Sequence, residues 1–212
     1  VVRNSNTLSD AVSALTGTKF GKAVLSVEDS NDLMALEDAL DRQYYHDATG
    51  KLRAGGSSHP QLLRYLRTEI DHRNVANLFR ALKQSLSSEE RHKLMLQGGY
   101  ALNPTILRQA AEADNEEALV EILRRAPNFN DSGFDEALAA YREKGTLDPI
   151  VNILTEQRML LLNRMATLHP LSAFPVINYV ERKVCEVANL RLMTRGRAAG
   201  LSDEVIEAHL RI

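Results

Sequence analysis

A single cysteine, Cys185, is all the thiol chemistry that the 212 residues carry. It can close no internal disulfide and has no partner for a Cys-based zinc site, which suits a reducing cytoplasm. No electropositive loop or helix start surrounds it, so it reads as a buried structural thiol and not a nucleophile. Tryptophan is absent and aromatic residues make up only 5% of the chain. β-Branched and aromatic residues never alternate over a useful run, which excludes a sandwich or barrel. Charge of one sign is missing too. The 26 Lys and Arg against 28 Asp and Glu leave a net charge of -2, without the basic footprint of a nucleic-acid binder, so no nucleic-acid partner is expected. No apolar run approaches the ~20 residues of a membrane-spanning helix, and Val1-Val2-Arg3-Asn4-Ser5 is not a signal peptide. Any membrane association must run through a partner, giving an expected location that is cytoplasmic and peripheral to the membrane.

Recognisable reaction chemistry is equally sparse. Gly17-Thr18-Lys19-Phe20-Gly21-Lys22-Ala23 is one residue short of a phosphate loop and lacks the hydroxyl that would reach magnesium. The six histidines, His46, His59, His72, His92, His169 and His209, show no i,i+4 pair and no neighbouring carboxylates at metal-site spacing. Serine motifs of the Gly-x-Ser-x-Gly kind are missing. The pairs Glu89-Glu90 and Glu116-Glu117 fall at helix starts, where the helix dipole favours them without any catalytic role. No catalytic residue, metal or cofactor is expected.

What the sequence does contain is helix punctuation. Thr7 with Asp10, Ser87 with Glu90, and Asp114 with Glu117 have capping-box spacing, and Pro60, Pro104, Pro149 and Pro175 suit first helical positions. Gly17, Gly98-Gly99, Gly145 and Gly200 answer as stops, and Thr49 to Ser58 reads as the one plain loop. The class is all-α, with about nine helices, of which two, near 60–85 and 175–198, are long.

The chain also resembles itself. At an offset of 98, Leu36-Glu37-Asp38-Ala39-Leu40 matches Phe134-Asp135-Glu136-Ala137-Leu138, Leu8 pairs with Ile106, and Leu25 with Leu123. At an offset of 115, Arg67, Asp71, Asn74, Arg80, Leu86, Ser87 and Glu89 align with Arg182, Glu186, Asn189, Arg195, Leu201, Ser202 and Glu204. The pattern predicts two helical subdomains, 1–100 and 101–212, repeated about a pseudo-symmetry axis, since the period is far too long for a fine-grained solenoid. Within the first long helix the apolar stripe Leu63, Leu66, Ile70 runs into Asn74 and Asn77, where a buried amide must find a partner. Two readings stay open for Asp71, Asn74, Glu186 and Asn189: hydrogen bonds that fix how neighbouring helices pack, or contacts to a partner. Arg67 with Asp71 and Arg182 with Glu186 have the spacing of i,i+4 pairs. Arg80 and Arg195 follow the acids by nine residues, about half a turn round the helix, and point away from them.

These residues carry a resemblance to the C subunit of the archaeal-type ATP synthase, which corresponds to the d subunit of the vacuolar ATPase. It lies in Tyr65 to Asn74, in Gly98-Gly99 after a short capped helix, and above all near the C-terminus. There Pro175 to Lys183 leads through Glu186 to Asn189-Leu190-Arg191 and closes with Arg195-Gly196-Arg197 and Leu201-Ser202; Val184-Cys185 departs from an acid often placed after the lysine. The resemblance covers nearly the whole chain. It implies a funnel of three similar helical subdomains, with the shaft subunits in its mouth and the membrane rotor ring beneath. It further implies a non-catalytic central-stalk adaptor transmitting torque for ion transport and ATP synthesis or hydrolysis. Because the family's chains are roughly half as long again and this one opens on Val1, a further N-terminal copy is expected. The competing reading is an all-helical protein-binding scaffold unrelated to the ATPase.

Overall fold

The computed structural model describes residues 7–27, 32–54, 60–207 and 209–210. Among them are eleven α-helices and no strand, so the fold is all-α. The chain divides into two compact units, Val1–Leu66 and Arg67–Ile212, with the boundary inside one helix.

The first unit holds α1 (Leu8–Leu15), α2 (Gly21–Leu25), α3 (Leu33–Ala54) and the opening of α4 (Pro60–Lys83). Thr7 and Asp10 form the expected capping box of α1. Thr49 to Ala54, expected as loop, instead continues α3, while 55–59 lies outside the described residues. Lys51, Leu52, Arg53 and Ala54 are strong helix formers, enough to carry one Gly50, and the Thr49 hydroxyl donates back to the Tyr45 carbonyl at 2.7 Å. The Gly17 to Ala23 segment runs through turns into the start of α2, and three of its N–H groups are spent internally. Thr18 N–H donates to the Leu15 carbonyl, Gly21 N–H to the Thr18 carbonyl and Phe20 N–H to the Thr18 hydroxyl.

The second unit continues α4 and adds α5 (Ser88–Lys93), α6 (Pro104–Ala111), α7 (Glu116–Arg124), α8 (Phe134–Lys144), α9 (Asp148–Leu168), α10 (Phe174–Ala198) and α11 (Asp203–Glu207). Helices α3 and α9 rival the two expected long ones, so four helices exceed 20 residues instead of two. Pro149 marked the start of α9, but nothing local in the sequence marked its length of 21 residues. The α7 cap sits one residue later than expected: Asn115, not Asp114, accepts the Ala118 N–H at 2.8 Å.

One apolar cluster joins Val75, Leu78 and Phe79 of α4 to Leu102, Leu107, Leu119, Leu123, Phe134 and Ile150, all 0–1% exposed. Burying each such side chain stabilises by roughly 1.5–3 kcal/mol, the dominant favourable term. Phe79 meets Tyr141 edge-on, at a centroid distance of 5.9 Å, and α9 packs against both α8 and α10. Gly145 ends α8 with φ of 63°, a left-handed conformation that costs glycine little. No helix is long and apolar enough to cross a membrane among the described residues.

Candidate functional site

The α4 polar set grips a segment of irregular backbone, residues 96–102. Asn74, fully buried, forms a reciprocal pair with Leu96: its Nδ2 donates to the Leu96 carbonyl at 2.8 Å and its Oδ1 accepts the Leu96 N–H at 2.7 Å. One turn earlier Asp71, 3% exposed, accepts three consecutive N–H groups, from Tyr100 (2.8 Å), Ala101 (2.7 Å) and Leu102 (3.1 Å). Arg67 completes the set. Its Nε and Nη2 donate to the Gly99 carbonyl at 3.2 and 2.7 Å, and Nε also to Gly98 at 3.0 Å. Side chains at 67, 71 and 74 share a helix face because they are spaced four and three apart. They satisfy backbone groups that would otherwise be buried without water.

This grip explains Gly98-Gly99. Gly98 has φ of 98°, which L side chains rarely adopt. A Cβ on Gly99 would stand 1.9 Å from Asp71 Oδ1, so the loop can approach the carboxylate only without a side chain there. Burial pushes the Asp71 pKa up, opposed by the three N–H bonds and by Arg67.

A second polar group ties α4 to α9 and α10. Arg158 of α9 lies between Glu69 of α4 (3.9 Å) and Glu181 of α10 (3.4 Å), each side chain 23–26% exposed. Beside it, His72 Nδ1 is buried without a hydrogen-bond partner. Burial first, and the Arg158 charge second, lower the His72 pKa to about 4. Sequence reasoning missed this group. Its signal was Arg158 itself, at the position where the α9 stripe Leu154, Leu162, Met165 calls for an apolar residue.

The corresponding residues of α10 stand in a different setting. Glu186 is exposed and pairs with Lys183 at 2.6 Å, and Arg195 is exposed on the last turn. Half-buried Asn189 lines a groove of about 250 Å³ with Asp148, Val151, Asn152, Leu192 and His209. His209 Nε2 lies 3.7 Å from Asp148 at its mouth. Arg80 is exposed, its Nη1 3.3 Å from Asn77 Oδ1, on the opposite side of α4 from buried Asp71. The structure thus brings Arg67, Asp71 and Asn74 together around one loop. It leaves Arg80, Glu186 and Arg195 at the surface. No group of three or more His, Cys, Asp or Glu is placed to hold a metal ion among the described residues.

The two helices nevertheless end alike, 115 residues apart. Leu86 N–H donates to the Ala81 carbonyl and Leu201 N–H to the Gly196 carbonyl, both at 3.0 Å. The residues just before, Ser85 and Gly200, have φ of 55° and 76°. Beyond the short helices that follow, Leu94 donates to Arg91 as His209 does to Ile206, and Met95 to His92 as Leu210 does to Glu207.

Comparison with known proteins agrees with the resemblance read from the residues. The profile of the family described as ATP synthase (C/AC39) subunit matches residues 2–209. The A-type ATP synthase C subunit of Haloquadratum walsbyi is 33% identical over 210 residues, covering 96% of this chain and 59% of the relative. The A-type ATP synthase C subunits of Haloferax volcanii and Methanococcoides burtonii are 31% and 30% identical over 211 and 201 residues, covering 96% and 94% of this chain. This chain spans 58% and 54% of those two, so it covers between half and three-fifths of these three relatives.

Proposed function

The chain belongs to the ATP synthase (C/AC39) subunit family, and on that premise we propose that it is a non-catalytic central-stalk adaptor of a rotary A/V-type ATPase. In this role it links shaft subunits to the membrane rotor ring, transmitting torque for ion transport coupled to ATP synthesis or hydrolysis. It works on the cytoplasmic side, peripheral to the membrane, and binds no nucleotide of its own. Its halves, 1–100 and 101–212, act as two copies of one helical repeat.

The observation that carries this reading, beyond family membership, is how the long helices are stiffened. Torque is transmitted only if neighbouring helices do not slide, and α4 is held in two independent ways. The Arg67, Asp71 and Asn74 side chains fasten it to 96–102, and Arg158 joins Glu69 to Glu181 across three helices. An asymmetric shaft and a many-fold ring share no symmetry operator, so the adaptor's contacts must be heterologous. Exposed charges on stiff helices, such as Arg80 and Arg195, suit the rims of such contacts.

The test is reconstitution with purified shaft and ring subunits, following ATP-driven ion pumping beside ATP hydrolysis. Arg80→Glu with Arg195→Glu should weaken the adaptor–rotor complex and reduce pumping per ATP at unchanged thermal stability. Each single reversal should have little effect. Failure of the wild-type chain to join the rotor under any salt condition would overturn the assignment.

A further inference from the structure

Helices α9 and α10 pack against each other and join through a tight turn at residues 169–173. Between Arg158 and Glu181 the only permanently charged side chain is Arg164. The end of α9, the turn and the start of α10 therefore form a hairpin tip without a carboxylate. Its apolar side chains meet solvent: Leu168 is 59% exposed, Val176 65%, Tyr179 63% and Val180 51%, and Leu171 in the turn itself is 101% exposed.

The turn holds this shape by bonding to itself. The His169 N–H donates to the Met165 carbonyl at 2.9 Å, the Ser172 N–H and hydroxyl both donate to the His169 carbonyl, and the Phe174 N–H donates to the Ser172 hydroxyl at 3.2 Å. Pro170 removes one further donor. Buried Met165 and Phe174 fix the two ends, with the His169 ring 6.2 Å from that of Phe174. These bonds survive when the turn leaves water, which is what entry into an apolar medium demands of a backbone.

Behind the tip the exposed charge is positive. Arg164 of α9 and Arg182 and Lys183 of α10 are exposed, while Glu181 is drawn to Arg158 at 3.4 Å. Lys183 lies 6.0 Å from the centre of the Tyr179 ring, and its exposed pair with Glu186 is weak enough to be exchanged for another anion. At 1.5 Å per residue these cations stand about 6 to 14 Å along the helices from the turn. An apolar element sinks roughly 5–10 Å into the boundary between headgroups and acyl chains, which brings the three cations level with lipid phosphates. Tyr179 then occupies the interfacial level that an amphipathic ring favours.

We propose that the α9–α10 turn, with Leu171 at its apex and Arg164, Arg182 and Lys183 behind it, docks on an anionic lipid surface. An exposed apolar patch fits a protein or a membrane; the collar of cations at phosphate depth selects the membrane. Such a tip rests in the surface without spanning it, and no described helix is long and apolar enough to span. The inference requires no ATPase subunit and stands apart from the adaptor reading.

The chain has no tryptophan, so Leu171→Trp installs a single reporter. With vesicles of phosphatidylglycerol its emission should shift to the blue and be quenched by lipids brominated along their acyl chains, and both signals should weaken as salt rises. In sedimentation with the same vesicles, Leu171→Asp should lower partitioning at least about tenfold, and Arg182→Glu with Lys183→Glu by a similar factor. Circular dichroism and the thermal midpoint should stay as in wild type, because all three positions are exposed. The proposal is overturned if no blue shift occurs, if phosphatidylcholine vesicles bind equally well, or if Leu171→Asp partitions like wild type. A shift that appears only on adding purified ring subunits in detergent would also overturn it, assigning the tip to a protein. One that grows with the chain's own concentration in the absence of lipid would assign the tip to a second copy instead.

Discussion

Asn74→Ala isolates the buried grip on the 96–102 loop. The wild-type amide satisfies both the N–H and the carbonyl of Leu96 at 2.7 and 2.8 Å, and both bonds are buried. Truncation leaves two backbone groups without partners where water has little access. An unsatisfied buried group costs about 1–3 kcal/mol, so the expected loss is roughly 2–5 kcal/mol, with water entering the new space favouring the lower end. In a protein of this size about 3 kcal/mol lowers the midpoint of thermal unfolding by roughly 6–12 °C. Urea unfolding followed by circular dichroism, with the slope compared between variants, gives the free energy directly. Asn74→Asp separates the two bonds, keeping an acceptor for the Leu96 N–H while losing the donor and introducing a buried charge, and it should be at least as damaging. Glu186→Ala, at an exposed position of α10, should change stability by no more than about 0.5 kcal/mol. The reasoning is refuted if Asn74→Ala unfolds within about 0.5 kcal/mol of wild type, because the bonds to Leu96 would then contribute nothing that water cannot replace.

Gly99→Ala should destabilise by more than about 1 kcal/mol through the clash with Asp71, and in a double-mutant cycle the same change should cost less in an Asp71→Ala background; a Gly99→Ala variant as stable as wild type in chemical denaturation would contradict the close approach. His72 has a folded pKa of about 4 against about 6.5 unfolded, so the unfolded chain takes the proton first: its contribution is complete above pH 6.5 and is lost as pH falls towards 4. The total is up to about 3 kcal/mol, and His72→Gln should flatten the dependence in urea titrations across that window. Arg158→Met removes the cation between Glu69 and Glu181, at 23–26% exposure, and should cost about 1–3 kcal/mol, discounted for their partial solvation; an unchanged denaturation midpoint would show the triad to be dispensable. Calorimetry with ATP should detect no binding, as Gly17 to Ala23 is one residue short of a phosphate loop and lacks the hydroxyl that would reach magnesium; micromolar affinity would overturn this.

Much of the fold follows from local chemistry and could be read without coordinates. Capping boxes at Thr7 and Ser87 and prolines at 60, 104, 149 and 175 act within one helical turn, and the structure starts helices at each. Asn74, interrupting an apolar stripe, announced a buried amide in need of a partner. The length of α9 and the extension of α3 through Gly50 were not legible, because their stability comes from packing and summed propensity and not from end signals. Which backbone satisfies Asn74, why Gly99 lacks a side chain, and that Arg158 joins three helices depend on residues 22 to 112 positions apart meeting in space. The sequence alone aligns Asp71 with Glu186, and Asn74 with Asn189, at an offset of 115, since pattern survives in the order of residues. Only the tertiary structure decided that the first of each pair is buried more deeply than the second, because burial depends on what packs against a helix face.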